Sequence, residues 1–212
     1  MFIIDFDSTL YHSHALSDKI KEKLFGYGVT EEHFAVSVHE AVHGKDGNYF
    51  DYSLSSHIDL LAKMGYEFSR DEVLGDLEKI FENKFIFDDT HHFLDSLKMM
   101  GQKIILLTAG NEKFQKQKIA NAEIETYFDE IAIVHNEKEK YIEQNIDKNQ
   151  TVFFINDNLK ENIKVKNHHP ELVVLTKWNM RKDAKEDIEN SGIPYFETLT
   201  EILNFINQYG QE

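Results

Sequence analysis

Two carboxylates, Asp5 and Asp7, lie two residues apart at the end of the first apolar run, residues 2–6. On an extended strand, residues two apart point to the same side. Two negative charges this close raise each other's pKa unless a cation lies between them. Carboxylate oxygens suit a hard cation such as Mg²⁺. The pair therefore predicts a magnesium site, although the pattern Asp-x-Asp also occurs in ordinary loops.

Other polar side chains have comparable positions further along the chain. Thr108 comes directly after one apolar run, and Asp157 follows another after a single residue. Ligands of open α/β sheets bind beyond the carboxyl ends of the strands, near the point where the strand order reverses. Polar residues at strand ends are therefore the first candidates for a ligand site, although a threonine there is weak evidence by itself because threonine suits strands.

Five short apolar runs must form the strands that position this site. Runs of four or five residues rich in Ile, Val, Leu and Phe are typical of strands buried on both faces of a parallel sheet. Helical patterns fall between the later runs, and this alternation predicts a doubly wound α/β sheet. The runs are residues 2–6, 103–107, 131–134, 151–155 and 172–175.

A long segment between the first and second runs carries helical patterns and no convincing strand. We predict that residues 14–86 form a small helical cap, and that residues 1–13 and 87–212 form the α/β core. The expected N-terminal caps of the four helices are Ser17, Thr30, Ser53 or Ser55, and a capping box from Ser69 to Glu72.

The segment Asp5-Phe6-Asp7-Ser8-Thr9 resembles the first signature of the haloacid dehalogenase superfamily, an apolar strand that ends in Asp-x-Asp-x-Thr. Thr108 is similar to the threonine or serine of the second signature. Asp157 and Glu161, an acid at a strand end and a second acid four residues later, are similar to the fourth.

The third signature of this superfamily is a lysine that precedes a helix, and the sequence offers both Lys138 and Lys140. We favour Lys138 because the family lysine usually precedes an apolar helix position by about three residues, and Tyr141 fits that spacing. Two positions depart from the common pattern: Ser8 replaces a frequent glycine, and Asn156 stands where many relatives have Gly or Asp.

The resemblance implies a Rossmann-like fold and a catalytic role for both aspartates of the first strand. Asp5 would be a nucleophile that becomes phosphorylated, and Asp7 would be the general acid and base. Thr108 and Lys138 would bind the phosphate oxygens.

The resemblance also implies a Mg²⁺ cofactor. Asp5, Asp157 and the backbone carbonyl of Asp7 would hold the metal, and Glu161 would support the site from one helical turn away. Family members that cleave carbon–halogen bonds lack the second aspartate, so Asp7 favours phosphate chemistry. The expected substrate is a small phosphorylated metabolite.

Three other functions stay open on the sequence. A phosphotransferase or phosphomutase of the same superfamily would use the same residues, and a non-catalytic protein could bind metal or phosphate with them. The segment His39-Glu40-Ala41-Val42-His43 matches the His-Glu-x-x-His motif of zinc hydrolases, with Glu40 as the general base. No third zinc ligand is fixed by the spacing.

The composition limits the partners. The formal net charge of −15 would repel a phosphate backbone, so we expect no nucleic-acid partner. The sequence has no cysteine, no signal-peptide pattern and no apolar stretch long enough for a membrane span. We therefore expect a cytoplasmic protein without a membrane partner. Substrate selectivity would come from residues of the predicted cap such as His39, Tyr49, Asp51 and Tyr52.

Overall fold

The computed structural model describes residues 1–44, 51–135, 137–146 and 150–209. In these residues six parallel strands form one sheet, in the order β3-β2-β1-β4-β5-β6. The sheet confirms the predicted doubly wound α/β fold. The strands are β1 Phe2–Ile4, β2 Ile104–Ala109, β3 Glu130–Val134, β4 Phe153–Asn156, β5 Val173–Lys177 and β6 Tyr195–Phe196.

Helices connect and cover these strands. Between β1 and β2 lie α1 Ser13–Gly26, α2 Glu31–His43, α3 Leu54–Lys63, α4 Arg70–Lys79 and α5 Thr90–Met99, with a 3₁₀ turn at Ile80–Glu82. Between β2 and the C-terminus lie α6 Glu112–Ala122, α7 Lys138–Asn145, α8 Leu159–His168, α9 Lys185–Ser191 and α10 Leu199–Gln208, with a 3₁₀ turn at Glu125–Tyr127. None of the described helices is long and apolar enough to cross a membrane.

The central strands β1 and β2 are almost entirely apolar because both faces of the sheet are covered there, whereas the edge strand β3 begins with Glu130 and has no buried residue. Ile4 belongs to an apolar cluster on one face, whereas Ile3, the preceding residue of β1, belongs to a second cluster on the other. Both residues are fully buried. The first cluster continues through Leu16, Ile58 and Leu77 of α1, α3 and α4, so these helices share apolar contacts with the core.

The segment that leads from β1 into α1 lies beside the segment that leads from α4 into α5. Tyr11 forms an antiparallel bridge with Ile86, and the amide of His12 donates to the carbonyl of Phe85 at 2.6 Å. Helices α1 to α4 thus lie between two adjacent chain segments, within the region predicted as a cap. Its division from the core as a separate domain stays a prediction.

Two of the expected helix caps are wrong. Helix α1 begins at Ser13, four residues before Ser17, and its N-cap His12 makes no side-chain capping bond. Ser69 does precede α4, but its side chain accepts no capping hydrogen bond. Ser69 and Glu72 are both exposed, so water can satisfy the amides that a capping box would bind. Thr30 and Ser53 cap α2 and α3 as predicted.

Candidate active site

The six predicted site residues meet at the carboxyl ends of the central strands. Asp5 directly follows β1, Thr108 lies near the end of β2, and Asp157 directly follows β4. Strand β1 lies between β2 and β4, and the chain order reverses there, which is where open α/β sheets bind ligands. A cavity of about 560 Å³ is lined by all six residues: Asp5, Asp7, Thr108, Lys138, Asp157 and Glu161.

Asp5 is buried, with 2% of its surface exposed. Its Oδ1 accepts a hydrogen bond from Lys138 Nζ at 2.7 Å, and its Oδ2 accepts one from Thr9 Oγ1 at 3.0 Å. The pKa of Asp5 is raised to about 7, chiefly by burial and less by the nearby Asp157, although Lys138 acts against both. The carboxylate is therefore fixed in place and costly to keep charged without an additional cation.

Lys138, and not Lys140, is the lysine that reaches the site. Lys138 is the first residue of α7, and its Nζ donates to Asp5 Oδ1 and, at 3.0 Å, to Glu161 Oε2. Burial would lower the pKa of Lys138, but Asp5 and Glu161 raise it overall, so the ammonium stays charged. Lys140 is exposed and pairs with Glu137.

Asp7 has its own set of donors and shares none with Asp5. Its Oδ1 accepts from Lys118 Nζ and from Ser13 Oγ, each at 2.5 Å, and its Oδ2 accepts from Gln115 Nε2 at 2.8 Å. Burial alone would raise the pKa of Asp7, but the charge of Lys118 and these hydrogen bonds bring the pKa below its usual value. The sequence predicted that Asp5 and Asp7 raise each other's pKa. At Asp7 the charge of Lys118 and the hydrogen bonds outweigh that effect.

Asp157 is 5% exposed, and its Oδ2 accepts from Asn179 Nδ2 and from Lys182 Nζ, both at 3.3 Å. Burial raises the pKa of Asp157, and Lys182 opposes that rise. Asn179 and Lys182 lie in the connection that follows β5. Sequence reasoning missed both, although their place after a strand end was a usable signal.

Sequence reasoning also missed the donors to Asp7 that α6 supplies. Gln115 and Lys118 lie on the face of this helix that also buries Ile119 and Ala122. Residues spaced by three, four and seven share one helical face, so two long polar side chains on an apolar stripe were the signal.

Thr108 presents a buried hydroxyl to the cavity. The side chain is 1% exposed, and its Oγ1 has no hydrogen-bond partner among the described residues. A buried polar atom without a partner destabilises a fold by about 1–3 kcal/mol, so its presence favours a ligand that supplies an acceptor. The geometry fits the phosphate-binding role that the resemblance implies.

Ser8 shows why many relatives have glycine at its position. Its φ angle is +61°, in the left-handed region that side chains with a Cβ adopt at a cost. The Ser8 amide donates to the carbonyl of Tyr11 at 2.7 Å, closing the turn that follows the two aspartates. The turn forms without glycine, at the expense of local strain.

The donor set of the cavity fits Mg²⁺ better than zinc. Magnesium is usually held by one or two carboxylates together with water and substrate oxygens, and Asp5 and Asp157 supply two. Zinc needs at least three protein ligands, and the described residues contain no group of three His, Asp or Glu side chains placed to hold a metal. The rings of His39 and His43 do approach to 4.8 Å on α2, but His39 is exposed and outside the cavity lining.

One of the four cap residues named as possible substrate contacts lines the cavity. Tyr52 does so, and its hydroxyl lies 3.0 Å from Nδ1 of His57. Asp51 is exposed and accepts a hydrogen bond from Asn111 Nδ2 at 2.7 Å. His39 does not line the cavity, and Tyr49 lies outside the described residues.

Comparison with known proteins identifies the family of this chain. A profile of haloacid dehalogenase-like hydrolases matches residues 1–159, which is most of the chain, and the chain belongs to this family. No curated protein sequence is significantly similar.

Solved structures share the fold at low sequence identity. L-2-haloacid dehalogenase from Xanthobacter autotrophicus is 14% identical, with 99% of this chain and 98% of that chain covered and a TM-score of 0.67. YfnB from Bacillus subtilis, solved bound to magnesium, is 17% identical, with 97% of each chain covered and a TM-score of 0.63. A candidate β-phosphoglucomutase from Thermotoga maritima is 16% identical, with 98% of each chain covered and a TM-score of 0.65.

Proposed function

We propose that this hydrolase cleaves phosphate monoesters, with Mg²⁺ as its cofactor and Asp5 as its nucleophile. The observation that carries the proposal is the separate support of two carboxylates in one cavity. Asp5 is held by Lys138, and Asp7 is held by Lys118, Gln115 and Ser13. Two differently held acids suit two different tasks, attack and proton transfer.

Substrate binding needs groups that hold the phosphate oxygens against Asp5. Thr108 offers a hydroxyl without a partner among the described residues, and Lys138 offers an ammonium charge at the first turn of α7. Bound between Asp5 and Asp157, magnesium would neutralise their charge and that of the phosphate, so that one anion can approach another. The fit of these two carboxylates to magnesium supports the cofactor.

In the first step, an oxygen of Asp5 attacks phosphorus and the bond from phosphorus to the ester oxygen breaks. The departing alkoxide takes a proton from Asp7 and leaves as an alcohol. Free Asp7 is held as an anion by Lys118, so it must first take up that proton. The negative charge of a phosphate ester bound beside it favours this uptake.

In the second step, water hydrolyses the acyl phosphate formed on Asp5. Asp7 accepts a proton from the water as its oxygen attacks phosphorus, and the bond to Asp5 breaks. Inorganic phosphate leaves, and the Asp5 carboxylate is restored. The hydrogen bonds from Ser13 and Gln115 hold Asp7 in place for both transfers.

The presence of Asp7 separates this proposal from dehalogenation, the activity in the names of several structural neighbours. A halide ion is a very weak base and leaves without a proton, so a dehalogenase has no use for an acid beside its nucleophile. An alkoxide is a strong base and needs one. The acid in the cavity therefore favours an oxygen leaving group.

The test measures two products from the same protein. Phosphate release from p-nitrophenyl phosphate should require Mg²⁺, stop with a chelator and be absent in Asp5→Asn, while 2-chloropropionate should yield no halide. Halide release without phosphate release would overturn the proposal. Transfer of the phosphoryl group to a second alcohol, without free phosphate, would instead identify a phosphotransferase or phosphomutase.

A further inference from the structure

The cavity extends beyond the carboxylates into a space walled by apolar side chains. Leu16 and Ile20 come from α1, and Phe34, Val38 and Val42 come from α2. The first three are at most 7% exposed. Side chains packed this tightly form a wall whose shape exists before a ligand binds.

Two aromatic residues line the same space. The rings of Tyr52 and Phe114 lie in edge-to-face contact, with centroids 5.0 Å apart. The Tyr52 hydroxyl is bonded to Nδ1 of His57, so it already has a partner within the protein. Tyr52 therefore adds apolar ring surface to the cavity more than hydrogen-bonding capacity.

The charged side chains that line the cavity belong to the segments directly after β1 and β4, to the helices α6, α7 and α8, and to the β5–α9 connection. Among the described residues of 13–82, none of the cavity-lining side chains is Asp, Glu, Lys or Arg. Three polar residues of α1 line the cavity: Ser13 donates to Asp7, His14 Nε2 lies 3.1 Å from Asn179 Nδ2, and Ser17 is exposed. The cavity thus has one charged end, suited to a phosphate, and one apolar end.

We infer that the substrate is the phosphate monoester of an apolar alcohol, with its hydrocarbon body in the apolar end and its phosphate beside Asp5. This inference rests on the proposed function. The hydroxyl groups of a sugar would lose their water in this space without receiving hydrogen bonds in return. An alkyl or aryl body would instead gain from leaving water.

The test is a series of straight-chain alkyl phosphates from ethyl to hexyl, compared with glucose 6-phosphate. Their alkoxides have nearly equal basicity, so only the apolar body changes along the series. With Mg²⁺ present, kcat/KM should rise up to about fourfold for each added methylene, the ratio that burial of one CH₂ group can provide. Glucose 6-phosphate should be a poorer substrate than hexyl phosphate.

A matched pair of variants tests whether the rise of kcat/KM with chain length comes from the apolar end of the cavity. Val38 lines the apolar end, whereas Val36 on the same helix is 50% exposed and outside the lining. Val38→Asn should reduce the ratio of hexyl to ethyl turnover several-fold, and Val36→Asn should leave that ratio unchanged. If Val38→Asn does not fold, Val38→Ala supplies the same comparison with a smaller loss.

The outcomes separate the two proposals. Hydrolysis of every ester at a rate independent of chain length, or a preference for the sugar phosphate, would overturn the apolar substrate and leave the phosphatase standing. If no ester is cleaved, including p-nitrophenyl phosphate, the phosphatase fails. Hexylphosphonate, which resists hydrolysis, still tests the cavity in that case: calorimetry should show it binding more tightly than ethylphosphonate, and equal binding would overturn the apolar end.

Discussion

Lys118 Nζ lies 2.5 Å from Asp7 Oδ1, and the lysine side chain is 5% exposed. Its ammonium is also within 5.6 Å of the ring centroids of Phe6, Tyr11 and Phe114. A cation so far from water needs a charged partner, and Asp7 is that partner. The Asp7 carboxylate and the helix α6 therefore stabilise each other.

Replacement of Lys118 by methionine should leave the Asp7 charge uncompensated. Methionine fills a similar space among the three rings, so the loss reports on charge more than on packing. We expect the free energy of unfolding to fall by about 3 kcal/mol, the lower end of the range for a broken buried pair, because Asp7 is not fully buried. Urea denaturation measures it.

The control for this prediction is Lys116→Met on the same helix. Lys116 pairs with Glu112, and both side chains are more than half exposed, so the loss should be far smaller than that of Lys118→Met. The double variant Lys118→Met, Asp7→Asn should recover much of the stability, since neither charge remains. Additive losses in the double variant would show that the pair does not hold the two residues together.

Thr108→Val should separate function from stability. Removal of a buried hydroxyl without a partner among the described residues should not lower the free energy of unfolding and should raise it by up to about 1–3 kcal/mol. Loss of a hydrogen bond to a charged phosphate should lower kcat/KM by roughly 10- to 100-fold. Steady-state kinetics and urea denaturation on one preparation measure both.

Thr176 provides the matched comparison, since it is also fully buried near the end of a strand. Its Oγ1 accepts from Asn162 Nδ2 at 2.8 Å. Thr176→Val should destabilise the protein by about 1–3 kcal/mol, because the buried Asn162 amide loses one of its two acceptors and keeps only the carbonyl of Asn156. Were Thr108→Val to destabilise the fold as much while leaving kcat/KM unchanged, the Thr108 hydroxyl would be structural.

The sequence was informative where one local pattern determines a position. Apolar runs buried on both faces predicted five strands, and Asp5, Thr108 and Asp157 could be placed because each stands at a strand end. Strand β6 was missed because it has only two residues. So short an edge strand has no hydrophobic pattern of its own.

The partners of the site residues were much harder to predict. Lys118 is 111 residues from Asp7, and Lys182 is 25 residues from Asp157. Such pairs depend on the packing of α6 and of the β5–α9 connection, which local sequence does not specify. The resemblance supplied the acids and the helix-start lysine, but it gave no information about these two lysines.

His57 should make the stability of the protein depend on pH. It is fully buried, and burial lowers its pKa to about 4. Its Nε2 lies 2.8 Å from Ser37 Oγ and its Nδ1 lies 3.0 Å from Tyr52 Oη, a network that neutral imidazole satisfies. The folded state therefore binds a proton less readily than the unfolded chain, whose histidine has a pKa near 6.5.

Because the unfolded chain binds the proton more readily, the free energy of unfolding decreases as the pH falls. The contribution of neutral His57 is fully present above pH 6.5 and is lost progressively as the pH falls from 6.5 towards 4, up to about 3 kcal/mol. His57→Gln should therefore flatten the pH dependence of the free energy of unfolding in this window, relative to wild type. His92→Gln, at an exposed position, controls for removal of one imidazole. Equal slopes for all three proteins would rule out His57 as the source.

Substitution of Asp5 and substitution of Asp7 should impair the proposed reaction in different ways. Asp5→Asn removes the nucleophile, so no phosphorylated protein should form from any ester. Asp7→Asn removes the proposed proton donor and later base, and it also removes the charged partner of Lys118. Nitrophenolate is a weak base that leaves without a proton, whereas an alkoxide needs one, and such proton transfer contributes about 10²–10⁴-fold in rate. Asp7→Asn should therefore be phosphorylated by p-nitrophenyl phosphate but hardly by an alkyl phosphate.

Rapid mixing of Asp7→Asn with p-nitrophenyl phosphate should give a burst of nitrophenolate followed by slow turnover. The burst should equal about one product per protein, because hydrolysis of the Asp5 phosphate then lacks its base. Asp7→Asn keeps the size of the side chain, and thermal unfolding checks that the variant is folded. Equal losses for both ester types without a burst would mean that Asp7 chiefly supports structure or metal. A burst in Asp5→Asn would exclude Asp5 as the nucleophile.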